Sequence, residues 1–185
     1  MKKEIRKKLK PAPMSKRIFA YLLDWYLGWV FTAIPVAYMW TITTQKTEIN
    51  TDITLFAGNQ AFLAGILGVL FGILYYFVFP LLNNGQTLGK KFTGIKIIDE
   101  KGGKLTTKAL AIRQILGVMI AESSFILAGN YIAQMIGMLT IPEVGVFITY
   151  GMLALFVVSC IMVIKKQRAI HDIIAHSMVV ETTTE

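Results

Sequence analysis

Four long apolar stretches dominate the chain, roughly Ile18 to Trp40, Ala61 to Leu82, Leu110 to Leu139 and Val144 to Ile164, and the segments between them hold most of the charge. Each stretch is long enough for the ~20 residues that a helix needs to cross a bilayer. Backbone N–H and C=O groups in hydrocarbon must be satisfied within the segment, and no barrel-type alternation is present, so the pattern predicts helices. The expected fold class is an all-α membrane protein: a four-helix transmembrane bundle forming a single domain over residues 1–185. Between the second and third spans the pattern changes. Thr93 to Asp99 alternates with a β-branched bias, Glu100-Lys101-Gly102-Gly103 offers a turn and Lys104 to Thr107 can return, which predicts a short β-hairpin within the loop 83–109.

Charge placement gives the bundle an orientation. Lysines and arginines fill the arm 1–17, the loop 83–109 and the tail 165–185, whereas the other two connections carry little charge beyond Lys46, Glu48, Asp52 and Glu143. The positive-inside bias therefore places the arm, the loop and the tail in the cytoplasm, with both termini inside. Lys90, Lys91 and Lys96 are expected to rest on anionic headgroups, or else to form a site for a partner or ligand. The first stretch is longer than a signal-peptide core of ~7–15 residues and is interrupted by Asp24, so an uncleaved anchor is expected. The third stretch admits either a continuous or a broken helix, because Arg113, Glu122, Asn130 and Gln134 fall in or near it.

Composition agrees with the pattern. Of 185 residues 55% are hydrophobic and 16% charged, and the mean hydropathy is +0.58, outside the usual soluble range. The net charge of +8 follows from the cytoplasmic segments and needs no nucleic acid. A single cysteine, Cys160, excludes a disulfide framework, and His171 with His176 does not place two ligands on one helix face, so no metal or other cofactor is expected. No Ser/His/Asp arrangement is present, and Gly85 to Gly89 lacks phosphate-loop spacing, so no enzyme is expected.

Packing and chemistry then rest on a few positions. Ala64, Gly68 and Gly72, and again Gly129, Ala133 and Gly137, recur every fourth residue and predict close helix approach, within the bundle or in a homo-oligomer. Pro35 should kink or end the first span. Asp24 lies within that span, where an ionised carboxylate needs a partner, water or a proton. Arg17, Tyr21, Asp24 and Gly28 share a face, but seven helical residues separate Arg17 from Asp24 by ~10 Å, so Asp24 is expected to find its partner on another helix, with Arg113 the first candidate. Asp172 is expected to bond Arg17 and join the chain's two cytoplasmic ends. Glu122 is a second candidate for an ion or proton site, and Arg168 a further ion-pair partner.

Arg17, Asp24 and Asp172 together resemble the Arg-Asp-Asp trio that gives the RDD family of bacterial multi-pass membrane proteins its name. Gly85-Gln86-Thr87-Leu88-Gly89-Lys90-Lys91, Gly94-Ile95-Lys96-Ile97-Ile98-Asp99, Gly102-Gly103-Lys104-Leu105-Thr106 and the ending Arg168-Ala169-Ile170-His171-Asp172 carry the same resemblance along most of the chain. Leu88, where Pro is usual, and His176-Ser177, where a small residue and Thr are usual, depart from it. The resemblance implies a bacterial cell membrane protein with a role in transport, sodium–proton exchange having been reported for some relatives, or an association with other membrane proteins. Two functions are therefore expected: cation or proton exchange at Asp24, or an accessory subunit fastened by the trio.

Overall fold

The computed structural model describes residues 11–121 and 125–182. The basic residues before Pro11 and the acid Glu122 lie outside these described residues. Helix α1 spans Met14–Thr44 and α2 spans Asn59–Leu82. The short helix α3 (Leu88–Phe92) and strand β1 (Ile95–Asp99) follow, then α4 (Thr107–Ala111), which runs on as a π-helical segment, Ile112–Ala121. Helices α5 (Leu127–Leu139), α6 (Pro142–Lys166) and α7 (Ile170–Ile174) lead to the final strand β2 (Ser177–Glu181). Among the described residues, α1, α2 and α6 are long and apolar enough to cross a membrane.

The third apolar stretch is not one helix. Ile126 is extended and α5 starts afresh at Leu127, so the stretch divides between the π-helical segment and a helix of 13 residues, about 20 Å long. A single continuous third span is thereby corrected to the broken alternative. Polar side chains explain the division, since Arg113 and Gln114 are buried in the protein in the first part and are not presented to lipid. Pro35 does not end α1, which continues to Thr44.

Small residues set the helix approaches, and they do so within this chain. The α carbon of Gly68 faces the Tyr131 ring and Val36, and that of Gly72 faces Ala128 and Met119, so the α2 seam receives α1 and α5. Gly137 meets Gly145, and a side chain at Gly145 would strike the Ala133 carbonyl, which brings α5 against α6. Near the far end of α1, the loop after it folds over the bundle: Trp40 meets Phe56 edge-on at 5.2 Å, and the Tyr131 hydroxyl donates to the Thr51 carbonyl at 2.9 Å.

At the opposite end the expected hairpin is replaced by a longer-range pairing. Strand β1 forms, but its antiparallel partner is β2, with Ile95 opposite Glu181, Ile97 opposite Val179 and Asp99 opposite Ser177. The Gly102-Gly103 turn is present, with Gly103 O accepting from Asp99 N, yet the chain beyond it enters α4 and does not return as a strand. Burial accounts for the choice. Ile95, Ile97, Val179 and Val180 are all buried, and Val179 packs with Ala12, Ala20 and Ile95, which joins arm, loop and tail in one layer. Pro11 bridges to Val180 and Ala12 N donates to Val179 O, so the start of the described chain adds to the same sheet edge.

Candidate functional site

The loop Gly85 to Lys91 closes on Asp24. The Asp24 carboxylate, buried in α1, accepts at Oδ1 from the Tyr75 hydroxyl at 2.7 Å and the Gly89 N–H at 2.8 Å, and at Oδ2 from the Thr87 hydroxyl at 2.5 Å and the Lys90 ammonium at 3.1 Å. Lys90 also reaches Thr87 Oγ1 at 3.1 Å. The expected partner Arg113 is not among them. Lys90, expected at the membrane surface with Lys91 and Lys96, turns inward and supplies the counter-charge, its side chain 16% exposed.

The local sequence explains the geometry. Gly85 has φ +80° and a side chain there would strike the Ile97 carbonyl, while its own O accepts from Ile97 N. Gln86 donates to Ile95 O at 2.9 Å, so the turn is held to β1 before α3 begins. At Gly89 an added Cβ would overlap both the Ala20 carbonyl and the Asp24 carboxylate, so only glycine lets α3 approach α1 this closely. From the other side, α2 widens into a π turn at Leu74–Val78. That widening lets two consecutive tyrosines serve one residue: Tyr75 donates to the Asp24 carboxylate and Tyr76 to the Asp24 carbonyl at 3.0 Å. Tyr76 also fills the space left by Gly28.

The trio's other acid has the partner expected for Asp24. Asp172 Oδ1 accepts from Arg113 Nε at 3.0 Å and Nη2 at 2.7 Å, and Oδ2 from the Ala169 N–H at 3.1 Å. Ser177 adds a hydroxyl 3.3 Å from Oδ1. Burial alone would raise the Asp172 pKa, but the Arg113 guanidinium, His171 and the Ala169 N–H outweigh it and hold the carboxyl well below the usual carboxylate range. Gly117 makes room for this junction, because a side chain there would overlap His171.

Arg17 does not bond Asp172 directly, which corrects that expectation. Its guanidinium donates to three carbonyls: Ala12 O at 3.1 Å, Gln167 O at 2.7 Å and Val179 O at 2.9 Å. It thus binds the arm, the end of α6 and β2 at one point, and places a cation at the negative end of α6. Arg168 pairs with Glu100 at 3.0 Å and donates to Ser177 O at 3.1 Å, tying the tail to the turn after β1. The exposed pair of Lys16 with Glu181 contributes little. Glu122 lies outside the described residues.

Sequence reasoning singled out Asp24 but missed Tyr75, Thr87 and Gly89 as its ligands. A signal was present. Thr87, Gly89 and Lys90 form a run of hydroxyl, close backbone N–H and ammonium donors, a set suited to a carboxylate, whereas the neighbouring Lys91, Lys96, Lys101 and Lys104 made Lys90 read as one more surface charge.

One side of the Asp24 site meets open space. A cavity of about 380 Å³ lies between α1, the π-helical segment and α6, with Asp24, Lys90, Arg17, Arg113 and Asp172 along its polar side and mainly apolar side chains elsewhere. No group of three or more His, Cys, Asp or Glu that could hold a metal occurs among the described residues.

No solved structure matches the chain. The chain is similar to the "Uncharacterized membrane protein YteJ" of Bacillus subtilis (strain 168), with 29% identity over 102 residues. That match covers 55% of this chain and 57% of the relative, so just over half of the relative's length is spanned. The family model for RDD matches residues 11–176, a range that contains Arg17, Asp24 and Asp172 with Tyr75, Thr87, Gly89, Lys90 and Arg113, and the chain is a membrane protein belonging to the RDD family.

Proposed function

We propose that this protein is a small transporter of a bacterial cell membrane that exchanges a hard cation for a proton at Asp24, with both termini in the cytoplasm. The observation that carries the reading is that the buried Asp24–Lys90 pair, 3.1 Å apart, lines a cavity and is not sealed in the bundle. In a low-dielectric site the carboxylate tolerates about one positive charge at a time. A cation arriving at Asp24 would replace the Lys90 ammonium as that charge, and releasing one proton keeps the pair's net charge constant. Thr87 and Tyr75 support the exchange, since a hydroxyl donates to the carboxylate but presents lone pairs to a cation after rotating. Oxygen-only ligation of this kind suits a hard cation. The cytoplasmic placement is supported by the way arm, loop and tail meet at one end of the bundle.

The purified chain in liposomes tests this, with cation-driven proton flux measured for wild type and Asp24→Asn. Flux in the wild type that falls to the lipid background in Asp24→Asn is expected. Absence of flux from folded, oriented wild type ends the transporter reading.

A second reading, a non-transporting accessory subunit, draws on α6. That helix has only Gly145, Met152 and Ser159 buried, and presents Phe147, Tyr150, Leu153 and Val157 outward, a surface that another membrane protein could cover as well as lipid. Under this reading Arg17, Asp24 and Asp172 only fasten the basic segments. A stoichiometric partner retained from native membranes, together with no flux, is its expected signature.

A further inference from the structure

We infer that the cleft between α1 and α6 is a binding site for one anionic phospholipid, its phosphate on Arg17 and an acyl chain in the apolar interior. The two helices run antiparallel, with the Arg17 guanidinium bonding Gln167 O at the end of α6 and the Tyr21 and Phe156 rings meeting at 5.9 Å. The cavity of about 380 Å³ lies between them, lined on α1 from Met14 to Trp25 and on α6 from Phe156 to Ile164. Its apolar walls are Ile18 and Trp25 on α1, Val118 on the π-helical segment, and Cys160, Val163 and Ile164 on α6. A smaller cavity of about 130 Å³, walled by Ala12, Met14, Arg17 and Gln167 with Val163 and Ile164, adjoins it at the Arg17 end. The space is amphiphilic in the same sense as a lipid, polar where the basic segments gather and apolar deeper along α1 and α6.

Charge decides the sign of the headgroup. The cleft is lined by three basic side chains and two carboxylates, and two of the basic groups are committed: Lys90 to Asp24, and Arg113 to Asp172. Arg17 has no carboxylate within ion-pair distance among the described residues. Three of its five N–H groups serve the carbonyls of Ala12, Gln167 and Val179, which leaves two donors on a fixed guanidinium plane, the geometry that binds phosphate oxygens. Gln114 also lines the cleft, and its buried Nε2 has no acceptor, so the unmet polar capacity on this wall is donor capacity. An anion fits that balance. The acyl chain would meanwhile cover apolar surface that α1 leaves to α6. The lipid would share its cavity with the exchange reading, but it is held by Arg17 and the apolar walls and not by Asp24, so the two readings fail on different variants.

The test uses the full chain purified in a neutral detergent, with phosphatidylglycerol, phosphatidylcholine and inorganic phosphate added separately. Native mass spectrometry should retain one phosphatidylglycerol per chain, and thermal unfolding should shift upward with phosphatidylglycerol, roughly fivefold lower concentration being needed than for phosphatidylcholine. Arg17→Gln should abolish that preference. Since Arg17→Gln also loses the bonds to three carbonyls and could fail to fold, Cys160→Trp provides the second variant: it fills the cleft, leaves Arg17 in place and should lose the retained lipid. Equal responses to both lipids, an equal shift with inorganic phosphate alone, a polypeptide in place of the lipid adduct, or full retention in Cys160→Trp would each overturn the site.

Discussion

Removing the Arg113 guanidinium would leave the Asp172 carboxylate, 2% exposed, with a backbone N–H and a serine hydroxyl as its main support. Breaking a buried pair from one side in this way costs about 3–5 kcal/mol. Arg113→Ala should therefore lower stability by about that much in a denaturant titration of the detergent-solubilised protein, and Arg113→Met combined with Asp172→Asn should recover part of the loss. The pH dependence follows from the sign of the shift. Asp172 is held below the ordinary carboxylate range, so its contribution is fully present above the unfolded-state value of about 4 and is lost only as pH falls through the lower folded-state value. The stability gap between wild type and Asp172→Asn should accordingly persist through neutral pH and close only in strong acid. A gap that closed near neutrality would mean Asp172 is not paired as described. At this scale the sequence was informative about which groups must be satisfied and silent about by whom. Asp24, Asp172, Arg17 and Arg113 were all legible as expensive or charged positions, but their partners were not: Arg113 went to Asp172, Lys90 to Asp24 and Arg17 to three carbonyls, because pairing depends on which elements adjoin.

Elements carry the next level of constraint. Helix α3 can close on α1 only because position 89 lacks a Cβ, and the contact that a Cβ would make is with a backbone carbonyl that cannot move aside. Gly89→Ala should therefore cost about 1–3 kcal/mol and loosen the Lys90 contact, seen as faster proteolysis after Lys90 and Lys91. Strand β1 should depend on the C-terminal tail in the same way. Val179→Asp, which places a charge among Ala12, Ala20 and Ile95, should expose the 83–109 loop to protease, whereas Thr107→Ala, beyond the turn, should not. The strand itself was readable from alternation at Thr93 to Asp99. Its partner was not, since β2 lies some eighty residues on, and a period-two pattern shows that a strand exists without naming what it pairs with. The break in the third stretch was readable as an alternative from its polar residues, but periodicity could not place the restart at Leu127. The π turn of α2 left no sequence signal beyond two adjacent tyrosines.

At the scale of the whole molecule, the described basic segments meet on one side of the bundle through Arg17, Arg168 and the β1–β2 pair, and the loop after α1 covers the other. In a Cys160→Ala background, an impermeant maleimide should label Glu48→Cys on intact cells and Lys104→Cys only after permeabilisation. Both positions are exposed, so failure to label would report the side of the membrane and not burial. The reverse pattern would invert the topology. Span lengths made the helical membrane class legible from sequence, because hydrophobic length acts without tertiary detail. The cleft between α1 and α6 was not legible, since it arises where two apolar helices fail to pack.

If Asp24 takes up a cation in exchange for a proton, as proposed, the proton count on binding reveals it. Calorimetry of the purified protein with a monovalent cation, repeated in buffers of different ionisation enthalpy near neutral pH, yields the number of protons released per cation bound. Close to one is expected for wild type, and no saturable binding for Asp24→Asn. Cation binding without proton release, or binding that survives Asp24→Asn, would contradict the exchange.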